Sequence, residues 1–578
     1  MYSKYYQQEL FNIRELAKEF AEKHPAIAPM LSGQTTDPDV ERLLEGTAFL
    51  TGMLRQKLDD QLPEAIHNLT SFIFPHFLKT VPSFTIVQFT PKKGLQETIT
   101  IPGETTLASM PVEGEPCLFR TCFSCDIHPL QIVSVEAESG QPTKEKSQRI
   151  KVQCSLTGPS LETWQPEKVS FFLGGTFSRA SDLFMLLNTA VKQITLQSED
   201  GTVFHLPPSA LRPLGFDRRN NLLPFARQSF GGYRLLQEYF ILQHKFLFID
   251  LVGWDKWQER GSGSRFSIIF ELEKTEISLP TLSNDSFILG TVPAINLFSH
   301  NAEPVVLDHS LDKIRITPAP VNELRPQVYS VDKVTGFTRG AVRKKEYQPI
   351  TRFVEGRSDL TYNLLHSYSP VDSTPEIAVQ FPYPSTGELL SEETLSIELT
   401  CTNGDLPVQL KPGDICIVTS DSPELVEFRN LTQPTLPIEP PLEGNHLWHL
   451  LSHLSLNLLS LASQNSLREL LSLYIFSYGR DKGRITANEK RIDGIEGLKI
   501  SKANRLVHGQ MMRGQKIRLT MRSDHFAGIG DFWLFGMVLD EFFSEYCSMN
   551  TFTQLDIYDS ITGETFSWPS RIGNTQLI

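Results

Sequence analysis

Through residue 81 the apolar residues of this chain recur every three or four positions, and from Pro82 onward they alternate in short runs broken by glycine and proline. A helix repeats every 3.6 residues and a strand every two, so a chain carrying the two periods in separate blocks reads as α+β. Tyr6, Leu10, Ile13, Ala17 and Phe20 fall at steps of four and three along one helical seam that Pro25 then stops. A second helix is announced by Asp37 as N-cap, Pro38 at the first helical position, and Asp39 and Glu41 beside the positive end of the dipole. It runs on through VERLLEGTAFLTGMLRQKLDDQL, with Val40, Leu43, Leu44, Leu50 and Leu54 spread over more than one face. Two such helices cannot enclose a core alone. Their apolar positions are therefore expected either to pack on the β domains that follow or, the preferred reading, to form an inter-subunit helical interface, because a heptad-like seam at a terminus is a common association device.

Strand texture begins with FTIVQFTP and continues through TITIPGETTL, RIKVQCSL and KVSFFLGG. The expected order is a helical segment over 1–81, a β-rich domain with a helical insertion near 180–190 over 82–310, and a second β-rich domain over 311–433. A proline-rich connector and a mixed α/β domain follow over 434–578. That last part is expected to hold helices from Leu447 and over 467–475, strands, an amphipathic helix over 532–546, and a closing strand TFTQLDIYD. A length of 578 residues is consistent with several sandwich-like cores.

The formal net charge of −13 argues against nucleic acid, whose binding needs a basic stripe to displace counterions. No apolar run is long enough to cross a bilayer, and the polar start MYSKYYQQEL lacks a secretory h-region, so the expectation is a cytoplasmic protein without direct membrane insertion. Seven cysteines without a secretion signal are expected to be reduced thiols.

Three motifs point toward chemistry and are outweighed. CLFRTCFSC, with Cys117, Cys122 and Cys125 followed by Cys154, has nearly the spacing of a plant-type [2Fe–2S] ferredoxin. The run alternates with bulky residues as a half-buried strand does. Cys117, Phe119, Thr121, Phe123 and Cys125 then share one face and Cys122 takes the other, so the thiols read as small buried hydrophobes. His446, His449 and His453 share a helix face without an acidic partner at a metal-ligand offset. GSGS at 261–264 has Phe266 where a dinucleotide loop needs its third glycine, and reads as a hairpin turn. With neither a GxxxxGK[ST] nor a GxSxG motif present, the reading is of a non-enzyme without cofactor or metal. Carboxylates on separate strands leave one alternative, a soluble β-rich carbohydrate-active enzyme or glycan-binding protein.

Several segments in order resemble one family. YYQQEL, RELAKEFAEKHPAIA and DPDVERLLEGTAFL, with Asp37, Pro38, Glu41, Arg42, Glu45 and Gly46, are similar to the opening signature of the TssF (ImpG/VasA) family of type VI secretion systems. The likeness continues in FPHFL, in GYRLLQEYF with Gly232, Tyr233, Glu238, Tyr239 and Phe240, and in VPAINLFSHN with Asn296, Leu297 and Phe298. It runs on through CTNGDLP to FAGIGDFWLFGMVLDEFFSEYCSMNTFTQL, and departs at Gly404, where the family commonly has Arg. The resemblance implies a fold like phage baseplate wedge proteins and a structural role in a cytoplasmic baseplate. The implied partners are TssG, a second TssF copy, TssK, and other baseplate and hub components (TssE, VgrG); by the same resemblance the wedges surround the hub spike and prime sheath assembly, and TssK links the assembly to the inner-membrane complex.

Overall fold

The computed structural model describes residues 6–7, 9–11, 13–14, 16–17, 38–139, 148–224, 231–273, 277–308, 310–320, 326–338, 344–350, 360–369, 374–382, 392–442, 447, 463–476, 479–507, 510–547, 549 and 551–573. The chain divides into two compact units, Met1–Leu78 with Pro441–Trp448, and Lys79–Pro440 with His449–Ile578.

In the first unit the described residues between 6 and 17 are helical. Helix α1, Pro38–Ile73, follows with Asp39 and Glu41 in its first turn, and its 36 residues make a rod of about 54 Å. It runs past Pro63, beyond the stretch whose period predicted it. Arg14 donates to Glu41 at 2.9 Å and ties the two helical segments together. At the far end, Phe74, Phe77 and Leu78 of the FPHFL motif are buried, and the His67 ring hydrogen-bonds the Leu442 carbonyl at 3.0 Å, which holds Leu442 against α1.

The second unit is built from several sheets and a group of buried helices. A five-stranded sheet runs in the order Val426–Asn430, Phe84–Pro91, Thr291–Ile295, Glu115–Thr121, Thr106–Val112. A second runs Val203–Leu206, Val191–Ser198, Arg265–Leu272, Gln148–Leu156, Leu130–Ser139. A long ladder of Gln327–Thr338 on Glu393–Thr402 centres an eight-stranded sheet. Alternation predicted the strands well: in Gln148–Leu156, Ile150, Val152, Cys154 and Leu156 point inward and the intervening residues are half-buried.

Among the described residues the unit also holds helices α2 (Phe177–Thr189), α3 (Gly231–Ile241), α4 (Gln464–Leu473), α5 (Lys482–Asp493) and α6 (Ile529–Glu545). The helix expected near 180–190 is α2, and that expected over 467–475 is α4. Helix α6 differs from its expectation, because it is buried on nearly every side rather than amphipathic. It packs on α2 and α3 and on the strand Thr551–Asp559, which runs parallel to Gln510–Met521. A Cβ on Gly530 would sit 2.3 Å from the backbone of Asp182, so only glycine allows α2 and α6 to close to this distance.

The strand reading of CLFRTCFSC needs correcting. The first strand ends at Thr121, and Cys125–Ile127 pairs with Ile99–Ile101 in a separate ladder. With the chain turned between them, Cys117, Phe119, Phe123 and Cys125 enter one core and Cys122 packs against that same core rather than an opposite face. The GSGS stretch is also not a hairpin turn, since it leads from the sheet of Phe248–Val252 into Arg265–Leu272 of another sheet. Gly404 has φ +59, and its amide is held by the Thr402 hydroxyl at 2.9 Å. Phe20, Asp37, His446, His449, His453 and the helix expected from Leu447 lie outside the described residues, apart from Leu447 itself, which is buried.

Candidate functional site

The first unit leaves much of its apolar surface uncovered. Of the seam read from the sequence, Tyr6, Leu10, Ile13 and Ala17 are half-buried. The neighbouring Phe11 and Leu16, which the seam omitted, are exposed instead. On α1, Leu44 is half-buried, whereas Leu43 is 71% and Leu50 62% exposed. Val40 and Leu54 lie on the same helix. Phe49, Met53, Leu69 and Phe72 are exposed as well and were not singled out by period. Leu43, Gly46, Leu50 and Met53 stand at steps of three, four and three, so they line one stripe. A Cβ on Gly46 would meet nothing within 4 Å, so glycine there answers no crowding inside the chain. Mid-helix glycine costs about 1 kcal/mol against alanine. Along an apolar stripe it leaves a notch into which another backbone can close. Pro38 begins α1, Glu41 accepts from Arg14, Arg42 pairs with Asp39 at 3.5 Å, and Glu45 is half-buried.

The other signature residues build an internal frame in the second unit. Glu238 is fully buried, paired with the equally buried Lys245, and takes the Leu222 amide at 2.8 Å. Burial lowers the Lys245 ammonium, with Glu238 acting against it. Tyr239 donates to Asp531 at 3.2 Å, and Arg491 reaches the same carboxylate at 2.8 Å. Tyr233 shares a hydroxyl contact of 2.9 Å with Tyr546 and stacks on Tyr474, Phe240 packs on Phe535, and Gly232 lies buried beside them. These contacts join α3, α5 and α6 into one body. Asn296 exchanges hydrogen bonds with Asn403, donating at 2.8 Å and accepting the Asn403 amide at 2.8 Å, and donates to the Leu118 carbonyl at 2.7 Å. Leu297 and Phe298 are buried, Phe298 in the core of the eight-stranded sheet. The two groups of residues differ in kind: one is an apolar surface, the other a polar scaffold.

A cavity of about 360 Å³ opens in the second unit beside Gln88, Asp126, His128, Asp285 and Arg429. Burial pushes His128 down to about 4 despite the nearby Asp126 charge, and its Nδ1 lies 2.9 Å from the Thr98 hydroxyl. Among the described residues no group of three or more His, Cys, Asp or Glu is placed to hold a metal ion, and no helix is long and apolar enough to cross a membrane.

Residues 2–575 match the family model described as "Type VI secretion system, TssF". The chain is 30% identical to the type VI secretion system component TssF1 of Pseudomonas aeruginosa, over 99% of this chain and 98% of that protein. In structure it is similar to a chain of the TssK-TssF-TssG baseplate subcomplex of the type VI secretion system, with TM-score 0.80 and 29% identity over 93% of this chain and 99% of that one. A chain of another solved structure, the baseplate complex of a type VI secretion system, shares the fold with TM-score 0.59 and 22% identity over the full length of both. The chain belongs to the TssF family of the type VI secretion system.

Proposed function

We propose that this chain is a structural wedge subunit of a type VI secretion baseplate, acting by assembly rather than by catalysis. It joins TssG and TssK, with a second copy of itself in the same wedge and TssE and VgrG as neighbours toward the hub. It works on the cytoplasmic side and reaches the inner-membrane complex through its partners. Residues 1–81 supply the shared helical bundle and the rest supply the body of the wedge. The observation that carries this is the uncovered apolar stripe on α1, Leu43 to Met53, in a family member similar along its length to a chain of a TssK-TssF-TssG subcomplex. A carbohydrate-active role has no comparable support.

The test replaces the exposed pair Leu43 and Leu50 rather than the half-buried Leu10 and Ile13, so that folding is spared. Each large apolar side chain buried in a contact contributes roughly 1.5–3 kcal/mol. Leu43→Asp with Leu50→Asp is therefore expected to weaken co-purification with TssG at least about a hundredfold while urea unfolding of the second unit is unchanged. Undiminished TssG binding overturns the bundle assignment.

A further inference from the structure

Residues Ile495–Val507 and Gln510–Met521 pair along their whole length as an antiparallel arm. The inner strand is flanked by Thr551–Asp559 from Arg513 onward, whereas Ile495–Val507 forms the edge of the sheet. Between 495 and 521 the chain has six Lys and Arg against one Glu, although the whole protein carries a net −13. Lys499 stands directly opposite Arg518 across the ladder, and like charges so placed are destabilising. Lys516 is neutralised by Asp556 at 2.7 Å and Arg505 bonds Ser570. Lys499, Lys502, Arg513 and Arg518 have no such partner among the described residues. Near the tip, Leu506 faces Met511, and these are 66% and 69% exposed. Lysines on an edge strand guard against unwanted pairing. That accounts for Lys499 and Lys502, but not for Arg513 and Arg518 on the inner strand or for an exposed apolar pair.

The same unit displays the complement. Residues 414–427 hold Asp414, Asp421, Glu424 and Glu427 with no Lys or Arg. Ile417, Val418 and Leu425 are exposed among them. The ridge is held in place, since Ile417 exchanges backbone hydrogen bonds with Ala108 at 3.0 and 3.3 Å. We propose that the basic arm formed by Ile495–Val507 and Gln510–Met521 of one copy docks on the acidic ridge, 414–427, of a second copy. Leu506 and Met511 meet Ile417, Val418 and Leu425 while the charges pair around them. Such a contact is head to tail, so it closes into a ring or extends. An anionic lipid surface is the rival occupant of the arm, and the net charge of −13 opposes it. The proposal rests on the assembly reading for the need of more than one copy, but uses none of the helical surface, so the two fail separately.

The test is sedimentation velocity on the full chain at graded concentration and salt. Self-association is expected at low salt and to weaken as salt rises. Lys502→Glu with Arg513→Glu, and separately Asp421→Lys with Glu424→Lys, should each lower the association constant at least tenfold. An equal mixture of the two variants should recover it, a result that misfolded chains cannot give. Three results overturn the proposal: a monomer at every concentration, loss with the arm variant but not the ridge variant, or arm-dependent binding to phosphatidylglycerol–phosphatidylcholine vesicles without self-association. TssG co-purification, expected to be intact in both variants, reports separately on the assembly reading.

Discussion

His128 shows how a single side chain couples this fold to pH. Its ring is buried, lies edge-on to Trp164 with ring centres 5.7 Å apart, and is held down to about 4 by desolvation, with the Asp126 charge pulling the other way. An unfolded histidine titrates near ~6.5, so between the two values the unfolded chain binds the proton and the folded chain does not. The stability that neutral His128 contributes is complete above the unfolded value and is lost as pH falls toward 4. The stability of the native chain is expected to fall by about 3 kcal/mol more than that of His128→Gln between pH 7 and 4. Urea denaturation across that range checks it, and parallel curves for the two proteins contradict it. Nothing in the sequence marked His128, because its burial comes from Trp164 and neighbouring strands remote in the chain.

At the scale of elements, α6 is buried on nearly every side, and Asp531 is where its neighbours converge. The carboxylate accepts from Arg491 of α5, Tyr239 of α3 and the Ala527 amide at 3.0 Å. Removing one partner of a buried ion pair leaves the other uncompensated at a cost of about 3–5 kcal/mol, whereas replacing both with apolar side chains costs far less. Asp531→Leu is therefore expected to lower the urea midpoint of the second unit sharply, and adding Arg491→Met to restore most of it. Equal losses in the single and double variants would show that the pair does not act as a unit. The sequence suggested a helix here but gave it the wrong character. Period reading also passed over α3, whose buried residues occur on all its sides, and α5, where Ile485 and Ile492 are the largest apolar side chains in a polar run.

For the whole molecule, the division into a helical unit with uncovered apolar surface and a larger β-rich unit has a thermal consequence. Units with separate cores unfold as separate cooperative steps. Calorimetry of the full chain is expected to give two transitions, and saturating TssG to raise the one belonging to the helical unit, by about 2.7 kcal/mol at a hundredfold excess over Kd. A single transition, or a shift of the other one, would contradict the division or the placement of TssG.

By itself the sequence determined the α+β class, the run of strands after Pro82, the start of α1 at Pro38 and the family, because these rest on local period, turn residues and the order of segments along the chain. The family resemblance also singled out Glu238, Tyr239 and Asn296 without indicating what they touch. Tertiary structure alone decided that Tyr239 and Arg491 meet at Asp531, that Cys122 joins the core of Cys117, and that Leu43 and Leu50 stay uncovered while Leu10 and Ile13 are half-buried. Burial and pairing depend on which distant segments arrive at a surface, and hydrophobic period reports only that a face is apolar, not what covers it.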